Sequence, residues 1–302
     1  MNEAVIEIDG LRKTFGNHAA LDGLDLRVPA GSVFGFLGRN GAGKTTTIKH
    51  LLGLIKADGG CARIFGQTVG ADGVGGVGLR RRIGCVTEEK GLYPYMTVEG
   101  MIRFTRPFFP GWRRDLEQRY LDLFDLPRTR SIAQLSKGMR AKLMLLLAIS
   151  HGAELLILDE PMESLDPVVV EQLLRELVAI AAEHGTTIFF SSHQLPDVEQ
   201  IADHVAIIDG GRTLVCGQLD DLKAHYQRLS VVCPAEPPGD IAGLDGVESV
   251  RRKGRMLSIL VSRNAEEVAA RLRQLPGAVV ERFPVTLKDL FLEHVGDHRC
   301  SG

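Results

Sequence analysis

The sequence predicts an α/β fold with a layered core, followed by a small α+β domain. Short apolar runs typical of buried strands alternate with amphipathic helical segments between residues 155 and 216. The apolar run at 33–37 leads into a glycine-rich loop and then into a helical segment at 46–52, which is the order of elements in a phosphate-binding unit. Beyond residue 226, strand and helix signals are mixed within a short stretch.

The first part of the chain is expected to form short strands around the phosphate loop. Apolar and β-branched residues predict these strands at 5–8, 24–28 and 61–65. The segment 70–78 contains too many glycines for a helix or a strand, so we expect a surface loop there.

The pattern becomes helical from residue 97 to about residue 150. Its clearest segments are 113–124 and 139–149, which are separated by Pro127 and a polar turn. We interpret the region from about 97 to 152 as a helical subdomain of the core.

Alternating elements return after this helical region. Helices are expected at 168–183 and 195–202. We predict one domain at residues 1–226 and a second at 227–302. The strands that complete the core are predicted at 155–158, 187–190, 205–208 and 213–216.

The second domain is predicted to be small and of mixed α+β structure. A proline-rich stretch at 234–239 is either a linker or a loop. Strand signals at 247–251 and 256–261 predict a hairpin. Asn264 is expected to cap the helix that follows, and a last helix is expected at 286–294.

Composition argues against several classes of function. With 36 basic and 38 acidic side chains, the formal net charge is -2, so no broad cationic surface is available for nucleic acid. The five cysteines are scattered and odd in number, which indicates neither a zinc site nor a disulfide framework and favours the cytosol. No secretory signal opens the chain, and no apolar run approaches the roughly 18 residues of a membrane helix. Any membrane role is therefore expected to come through a partner.

The glycine-rich loop has the spacing GxxxxGK[ST], which places backbone N–H groups around nucleotide phosphates. Glycines let the backbone approach the anion, Lys44 can reach the β- and γ-phosphates, and the Thr45 hydroxyl can ligate Mg²⁺. We therefore predict that the ligand is a nucleoside triphosphate. The residues expected to bind it are Gly38, Arg39, Asn40, Gly41, Ala42, Gly43, Lys44, Thr45 and Thr46.

Two acidic residues directly follow the apolar strand at 155–158. The carboxyl ends of parallel strands are where such sheets bind ligands. We expect Asp159 to hold Mg²⁺, directly or through water, and Glu160 to be the general base that takes a proton from the attacking water. Taken alone, the two carboxylates are also compatible with a solvated acidic turn.

The segment 135–140, Leu-Ser-Lys-Gly-Met-Arg, resembles the signature motif of ATP-binding-cassette (ABC) ATPases. The resemblance covers about residues 3–226 and implies a P-loop NTPase of the ABC type that uses ATP and Mg²⁺. It also implies a head-to-tail pair of nucleotide-binding domains, in which Ser136 and Gly138 close on the partner's ATP. In isolation, Ser136 is equally explained as a helix cap. The other motifs stand in the family's order: Phe15, the phosphate loop, Glu88, the signature, Asp159 with Glu160, Asp166 and His193.

Three positions depart from the commoner sequences of this family. In the signature, Lys137 replaces a glycine and Met139 replaces a glutamine. Glu88 aligns with a position that is usually glutamine. We expect its carboxylate to offer an oxygen to Mg²⁺ or water. The alternative is that Glu88 belongs to an exposed acidic turn without a role at the site. Both variant motifs are similar to those of ATPases that serve ABC-2-type exporters.

Three more residues are assigned by the resemblance. His193 matches the switch histidine, which is expected to contact the γ-phosphate and support the attacking water. Phe15 is expected to stack on the adenine, unless its ring is buried in the core. Asp166 precedes Pro167 and is expected to cap a helix, within a loop that passes signals between the two ATP sites in the family.

The resemblance implies the ATP-hydrolysing subunit of an ABC-2-type exporter. Closure of an ATP-bound dimer, expected to be a homodimer unless a different cassette is the partner, would move a separate membrane-spanning permease. The chain is expected at the cytoplasmic face of the membrane, and the segment from Tyr93 into the helical subdomain is expected to dock the permease. The alternatives are a soluble ABC ATPase acting on DNA or ribosomes and a non-enzymatic ATP-binding regulator.

Overall fold

Contacts between Cα atoms divide the chain into two compact units, Met1–Cys216 and Gly217–Gly302. The domain limit predicted at 226/227 lies ten residues beyond this division and stays a prediction. The helical subdomain also stays a prediction. The computed structural model describes residues 3–70, 73–74, 76–87, 91–163, 165–232, 241–275 and 277–296.

Strands form three separate sheets. In chain order they are β1 (Ala4–Phe15), β2 (His18–Pro29), β3 (Val33–Gly38), β4 (Gly59–Ile64), β5 (Gln67–Gly70), β6 (Gly73–Val74), β7 (Ile83–Val86), β8 (Leu155–Leu158), β9 (Thr187–Ser192), β10 (His204–Asp209), β11 (Arg212–Gln218), β12 (Gln227–Val232), β13 (Val247–Lys253), β14 (Met256–Val261) and β15 (Val279–Phe283).

Helices connect and cover these sheets. Within the described residues, no helix has both the length and the apolar character needed to cross a membrane. In chain order the helices are α1 (Lys44–Leu51), α2 (Gly76–Arg80), α3 (Val98–Thr105), α4 (Arg114–Leu123), α5 (Lys137–Ser150), α6 (Pro167–His184), α7 (Leu195–Ile201), α8 (Leu219–His225), α9 (Ala265–Arg273) and α10 (Leu287–Gly296).

The six-stranded sheet of the first unit has the order β11-β10-β3-β9-β8-β7, and its strands from β10 to β7 are parallel. Every residue of β3, β8 and β9 is buried, as expected for strands covered on both faces. In the register, Leu37 lies opposite Ser192 and Leu158 opposite Phe190. The residues that follow β3, β8 and β9 therefore meet at one edge of the sheet.

A second, antiparallel sheet in the same unit has the order β2-β1-β4-β5-β6. Its side chains Ile6 and Leu24 belong to the same buried apolar cluster as Phe36 of β3 and Ile48 of α1. Because α1 is packed into this cluster, the loop between β3 and α1 is held at both of its ends.

The turn between α3 and α4 is tied to α4 by one carboxylate. Glu117, which is almost fully buried, accepts hydrogen bonds from the Arg106 guanidinium at 2.8 Å and from the Trp112 indole at 2.6 Å. The buried negative charge therefore has both a cation and a neutral donor as partners, which is the arrangement that makes burial of a charge tolerable.

The second unit contains a four-stranded sheet in the order β13-β14-β12-β15. All of its pairs are antiparallel. Leu229 and Ile259 from the sheet pack in one buried cluster with Val268 and Leu272 of α9. This unit therefore has an apolar core of its own.

The predicted α/β fold is confirmed, and most predicted elements are found near their expected positions. The prediction of a surface loop at 70–78 is wrong for those of its residues that the structure describes. Gly73 pairs with Gly70 in two short antiparallel strands, and α2 begins at Gly76 and is anchored by buried Leu79.

The expected cap at Asn264 is also wrong in its mechanism. Asn264 precedes α9, but its backbone is left-handed with φ 57° and its side chain accepts no helical N–H. Its Nδ2 instead donates to Asp245 at 2.6 Å. Asp166, by contrast, accepts from the N–H groups of Val168 and Val169 at 3.1 Å, so its predicted cap is confirmed. The proline-rich stretch at 234–239 lies outside the described residues.

Replacing Glu117 by alanine is expected to lower the free energy of unfolding by about 1.5–3 kcal/mol, because the Arg106 guanidinium would lose its charged acceptor while partly buried. Urea denaturation followed by circular dichroism measures this change. Glu183→Ala is the control, since the Glu183–Arg119 pair is exposed and, because water screens its charges, should contribute clearly less than the Glu117–Arg106 pair. Equal losses for the two variants would contradict the assignment.

Candidate nucleotide-binding site

The loop after β3 depends on two glycines for its shape. A Cβ atom on Gly38 would lie 2.7 Å from the Ile208 carbonyl oxygen. Gly43 has a left-handed φ of 109°, and a Cβ there would lie 2.8 Å from the Ala20 carbonyl oxygen. No side chain caps the first turn of α1, which begins at Lys44. The first N–H groups and the positive end of the helix dipole are therefore directed at the loop, which is how a helix N-terminus binds phosphate.

Lys44 carries its ammonium group into this loop. Its Nζ donates to the Gly38 carbonyl oxygen at 2.9 Å and lies 3.3 Å from Glu160 Oε1. Both side chains are largely buried. A positive charge therefore stands between the phosphate loop and the acidic residues that follow β8, where it can meet an anionic ligand.

Asp159 lies beside the loop and is buried. Its Oδ1 accepts hydrogen bonds from Thr45 Oγ1 at 3.3 Å and from Ser191 Oγ at 2.7 Å. A carboxylate next to a hydroxyl is a donor set that suits Mg²⁺, which binds one or two protein oxygens together with phosphates and water. Among the residues with described positions, no group of three or more His, Cys, Asp or Glu side chains could hold a metal ion.

Glu160 has an unusual backbone conformation, with a left-handed φ of 46°. Non-glycine residues in this region cost free energy and concentrate at functional sites. The Glu160 N–H donates to Ser191 Oγ at 2.9 Å. Its carboxylate Oε2 accepts from the His193 N–H at 3.3 Å and lies 2.9 Å from His193 Nδ1. The carboxylate is thus held between an ammonium group and an imidazole ring.

Lys44, Thr45, Glu160 and His193 line one cleft of about 400 Å³, whereas Asp159 lies behind Thr45 and outside the lining. Phe15 lies at the edge of the cleft and is half exposed. Burial of its ring in the core is therefore excluded. Most of the predicted nucleotide ligands are therefore brought together. The cleft is lined by Phe15, His18, Ala20, Arg39, Asn40, Gly41, Gly43, Lys44, Thr45, Thr46, Glu160, Glu163 and His193.

Ser136 and Gly138 are not among the residues that line this cleft. They lie at the start of α5, where Ser136 Oγ accepts from the Met139 N–H at 3.1 Å. A Cβ on Gly138 would lie 3.4 Å from the Val169 side chain. Ser136 is therefore a helix cap, and its exposed hydroxyl still has a proton to donate. Glu88 lies outside the described residues.

Sequence reasoning missed three residues at this site. Ser191 contacts both acidic residues, and its only signal is a hydroxyl near the end of an apolar strand. His18 lies opposite Phe15 in the hairpin formed by β1 and β2, so recognition of that hairpin would have placed it at the cleft. Glu163 follows β8 in a turn and carries no distinctive signal.

Two titratable groups near the site have shifted pKa values. Burial lowers the pKa of His50 in α1, although its hydrogen bond to the Ile55 carbonyl oxygen opposes the effect. Burial raises the pKa of Asp197 in α7, and neighbouring His193 opposes that shift. Burial favours the neutral form of both groups. The positive charge of the loop comes from Lys44 and Arg39, which both line the cleft.

Comparison with known proteins gives consistent matches. The family model described as ABC transporter matches residues 21–163. The ABC transporter ATP-binding protein YhaQ of Bacillus subtilis is 33% identical over 97% of this chain and 99% of its own length. The bacitracin transport ATP-binding protein BcrA of Bacillus licheniformis is 37% identical over 74% of this chain and 73% of its own. A solved structure of the ATP-binding subunit of an ABC transporter has a TM-score of 0.65 and 31% identity, covering 73% of this chain and 92% of that one.

Lys44→Ala is expected to weaken binding of a nucleoside triphosphate by about ten- to hundredfold, because the loop loses its charged donor. Titration with a fluorescent ATP analogue measures the affinity. Lys56→Ala is the control, since Lys56 is an exposed lysine beyond α1. An unchanged affinity in the Lys44 variant would remove this residue from the site.

Proposed function

Because the chain belongs to the family of ABC transporter ATP-binding proteins, we propose that it hydrolyses ATP to drive a separate membrane-spanning permease in an ABC-2-type exporter. The observation that carries this proposal is the convergence of Lys44, Asp159 and Glu160 at one edge of the sheet. The relative named for bacitracin transport supports an exporter. The identity of the exported substrate would depend on the permease.

ATP would bind with its phosphates in the loop and its adenine toward Phe15. The Phe15 ring lines the same cleft and leaves half of its surface available for stacking. Lys13 Nζ lies 5.4 Å from the centre of this ring and is paired with Asp58 at 2.9 Å. The cleft therefore offers an aromatic surface at one end and a cationic loop at the other.

Thr45 and Asp159 would hold Mg²⁺, since their oxygens lie 3.3 Å apart beside the loop. When bound, Mg²⁺ would neutralise charge on the phosphate oxygens. The part assigned to Glu88 remains a prediction, because Glu88 lies outside the described residues.

Glu160 would accept the proton of the attacking water. Its Oε1 lies 3.3 Å from Lys44, while Oε2 contacts His193. A bound phosphate would compete for Lys44 and so free Oε1 for water. If His193 donates its Nδ1 proton to Oε2, its Nε2 is left as an acceptor that can help position the water.

A dimer would complete the site. Ser136 and Gly138 lie outside the cleft of their own chain. The Ser136 side chain is exposed and available to a second copy, whereas Gly138 is buried and would contribute through its backbone. The Ser136 hydroxyl accepts the Met139 N–H and keeps its proton for a γ-phosphate oxygen of the partner's ATP. A homodimer in head-to-tail arrangement would form two such shared sites.

An exposed aromatic surface near α3 would dock the permease at the cytoplasmic face of the membrane. Tyr93 contacts Tyr95 and Phe104 with ring centres 5.7 and 5.5 Å apart, and Phe104 contacts Phe108 at 5.6 Å. All four rings are exposed. Contiguous exposed aromatic side chains are typical of protein interfaces.

Glu160→Gln is expected to lower ATP turnover by about a hundredfold or more, because the amide cannot accept the proton from water. ATP binding should persist and the nucleotide-bound dimer should accumulate. Phosphate release and size-exclusion chromatography with ATP measure the two effects. Glu183→Gln, which changes an exposed acid outside the cleft lining, should retain turnover. Wild-type turnover in the Glu160 variant would refute the general-base role.

The double variant Tyr95→Glu with Phe108→Glu is expected to lose association with the permease, because both side chains are exposed and would place charge in an apolar contact. Co-purification from membranes with the permease identified for the wild-type protein measures association. Leu54→Glu, at another exposed apolar position, is the control. Retained co-purification would place the docking surface elsewhere.

A further inference from the structure

Ser191 joins the two acidic residues of the site. This side chain is completely buried at the end of β9. Its hydroxyl donates to Asp159 Oδ1 at 2.7 Å and accepts from the Glu160 N–H at 2.9 Å. We propose that Ser191 is a positioning residue that fixes Asp159 for binding Mg²⁺ and Glu160 for activating water, an assignment that rests on the proposed ATPase function.

The direction of these two hydrogen bonds is determined by the groups involved. An ionised carboxylate only accepts, so the single hydroxyl proton of Ser191 must go to Asp159. The Glu160 backbone N–H only donates, so it must use a lone pair of the same hydroxyl. The resulting chain runs from Glu160 N–H through Ser191 to Asp159. Hydrogen bonds arranged in this way polarise and strengthen each other.

The first consequence concerns the orientation of the Asp159 carboxylate. Its Oδ1 receives the short bond from Ser191 and a longer one from Thr45, so rotation of the group would break two contacts. Partners that orient a metal-binding carboxylate commonly change metal affinity or activity by 10- to 100-fold when removed. Ser191 would have this role toward Mg²⁺ without touching the ion.

The second consequence concerns the backbone of Glu160. Its φ of 46° is disfavoured for a residue with a Cβ atom, and the bond from its N–H to Ser191 helps to offset that cost. The same backbone conformation directs the Glu160 carboxylate toward Lys44 and His193. Loss of the Ser191 hydroxyl would therefore let the proposed general base move away from its position.

The adjacent serine provides a matched comparison. Ser192 is also buried, but its Oγ accepts from the Gln194 N–H at 2.9 Å at the start of α7. It makes no hydrogen bond to Asp159 or Glu160 among the contacts of the described residues. Two neighbouring hydroxyls of equal size therefore differ in whether they contact the acidic pair.

Ser191→Ala in the full chain tests the inference. We expect kcat for ATP hydrolysis to fall about 10- to 100-fold and the Mg²⁺ concentration that gives half-maximal rate to rise about tenfold. ATP affinity measured in EDTA should stay at the wild-type value, because the phosphate loop is intact. Mg²⁺ should strengthen ATP binding less in this variant than in the wild type, which is a readout independent of turnover. Ser192→Ala should match the wild type in all of these measurements.

Thermal unfolding without nucleotide separates positioning from a general structural role. A midpoint close to that of Ser192→Ala, which also loses a hydroxyl that accepts a backbone N–H, combined with an altered Mg²⁺ dependence, supports the inference. A large loss of stability, or weakened ATP binding in EDTA, would show that Ser191 only maintains the fold. Unchanged kcat and Mg²⁺ dependence in Ser191→Ala would overturn the inference while leaving the proposed function intact. Failure of the proposed function would instead be seen as absence of ATP turnover in the wild-type protein.

Discussion

The parallel pairing of β3, β9 and β8 is the constraint on which the site depends. Backbone hydrogen bonds place Leu37 opposite Ser192 and Leu158 opposite Phe190. A shift of one residue in either pair would turn every side chain of that strand to the other face, and burial on both faces opposes such a shift. The phosphate loop, the acidic pair and His193 are therefore brought together by the sheet, although they are far apart in the chain.

The same edge of the sheet concentrates charge in a partly buried region, which is costly unless each charge has a partner. Lys44 contacts Glu160, Asp159 accepts from two hydroxyls, and Glu160 also contacts His193. These contacts stabilise one arrangement of the site. They are also the contacts that an incoming phosphate and a metal ion would exchange for their own.

The cleft contains the groups proposed to bind phosphate and to accept the proton, while Ser136 and Gly138 are located at the start of α5, outside the cleft lining. This separation has a direct functional meaning for a member of this family. Turnover would depend on the approach of a second chain, and the exposed rings of Tyr93, Tyr95, Phe104 and Phe108 would pass that motion to a permease. Chemistry and assembly are thus located on different surfaces of the same unit.

The sequence by itself determined the features that depend on contiguous residues. The spacing from Gly38 to Thr45, the apolar run ending in Asp159 and the cap formed by Asp166 were all predictable, because neighbouring residues specify them. Only the tertiary structure decided that Ser191 joins Asp159 to Glu160 and that the Asn264 side chain turns to Asp245. These contacts connect residues from different elements, so their partners are set by strand register and packing, and a local pattern carries no information about either.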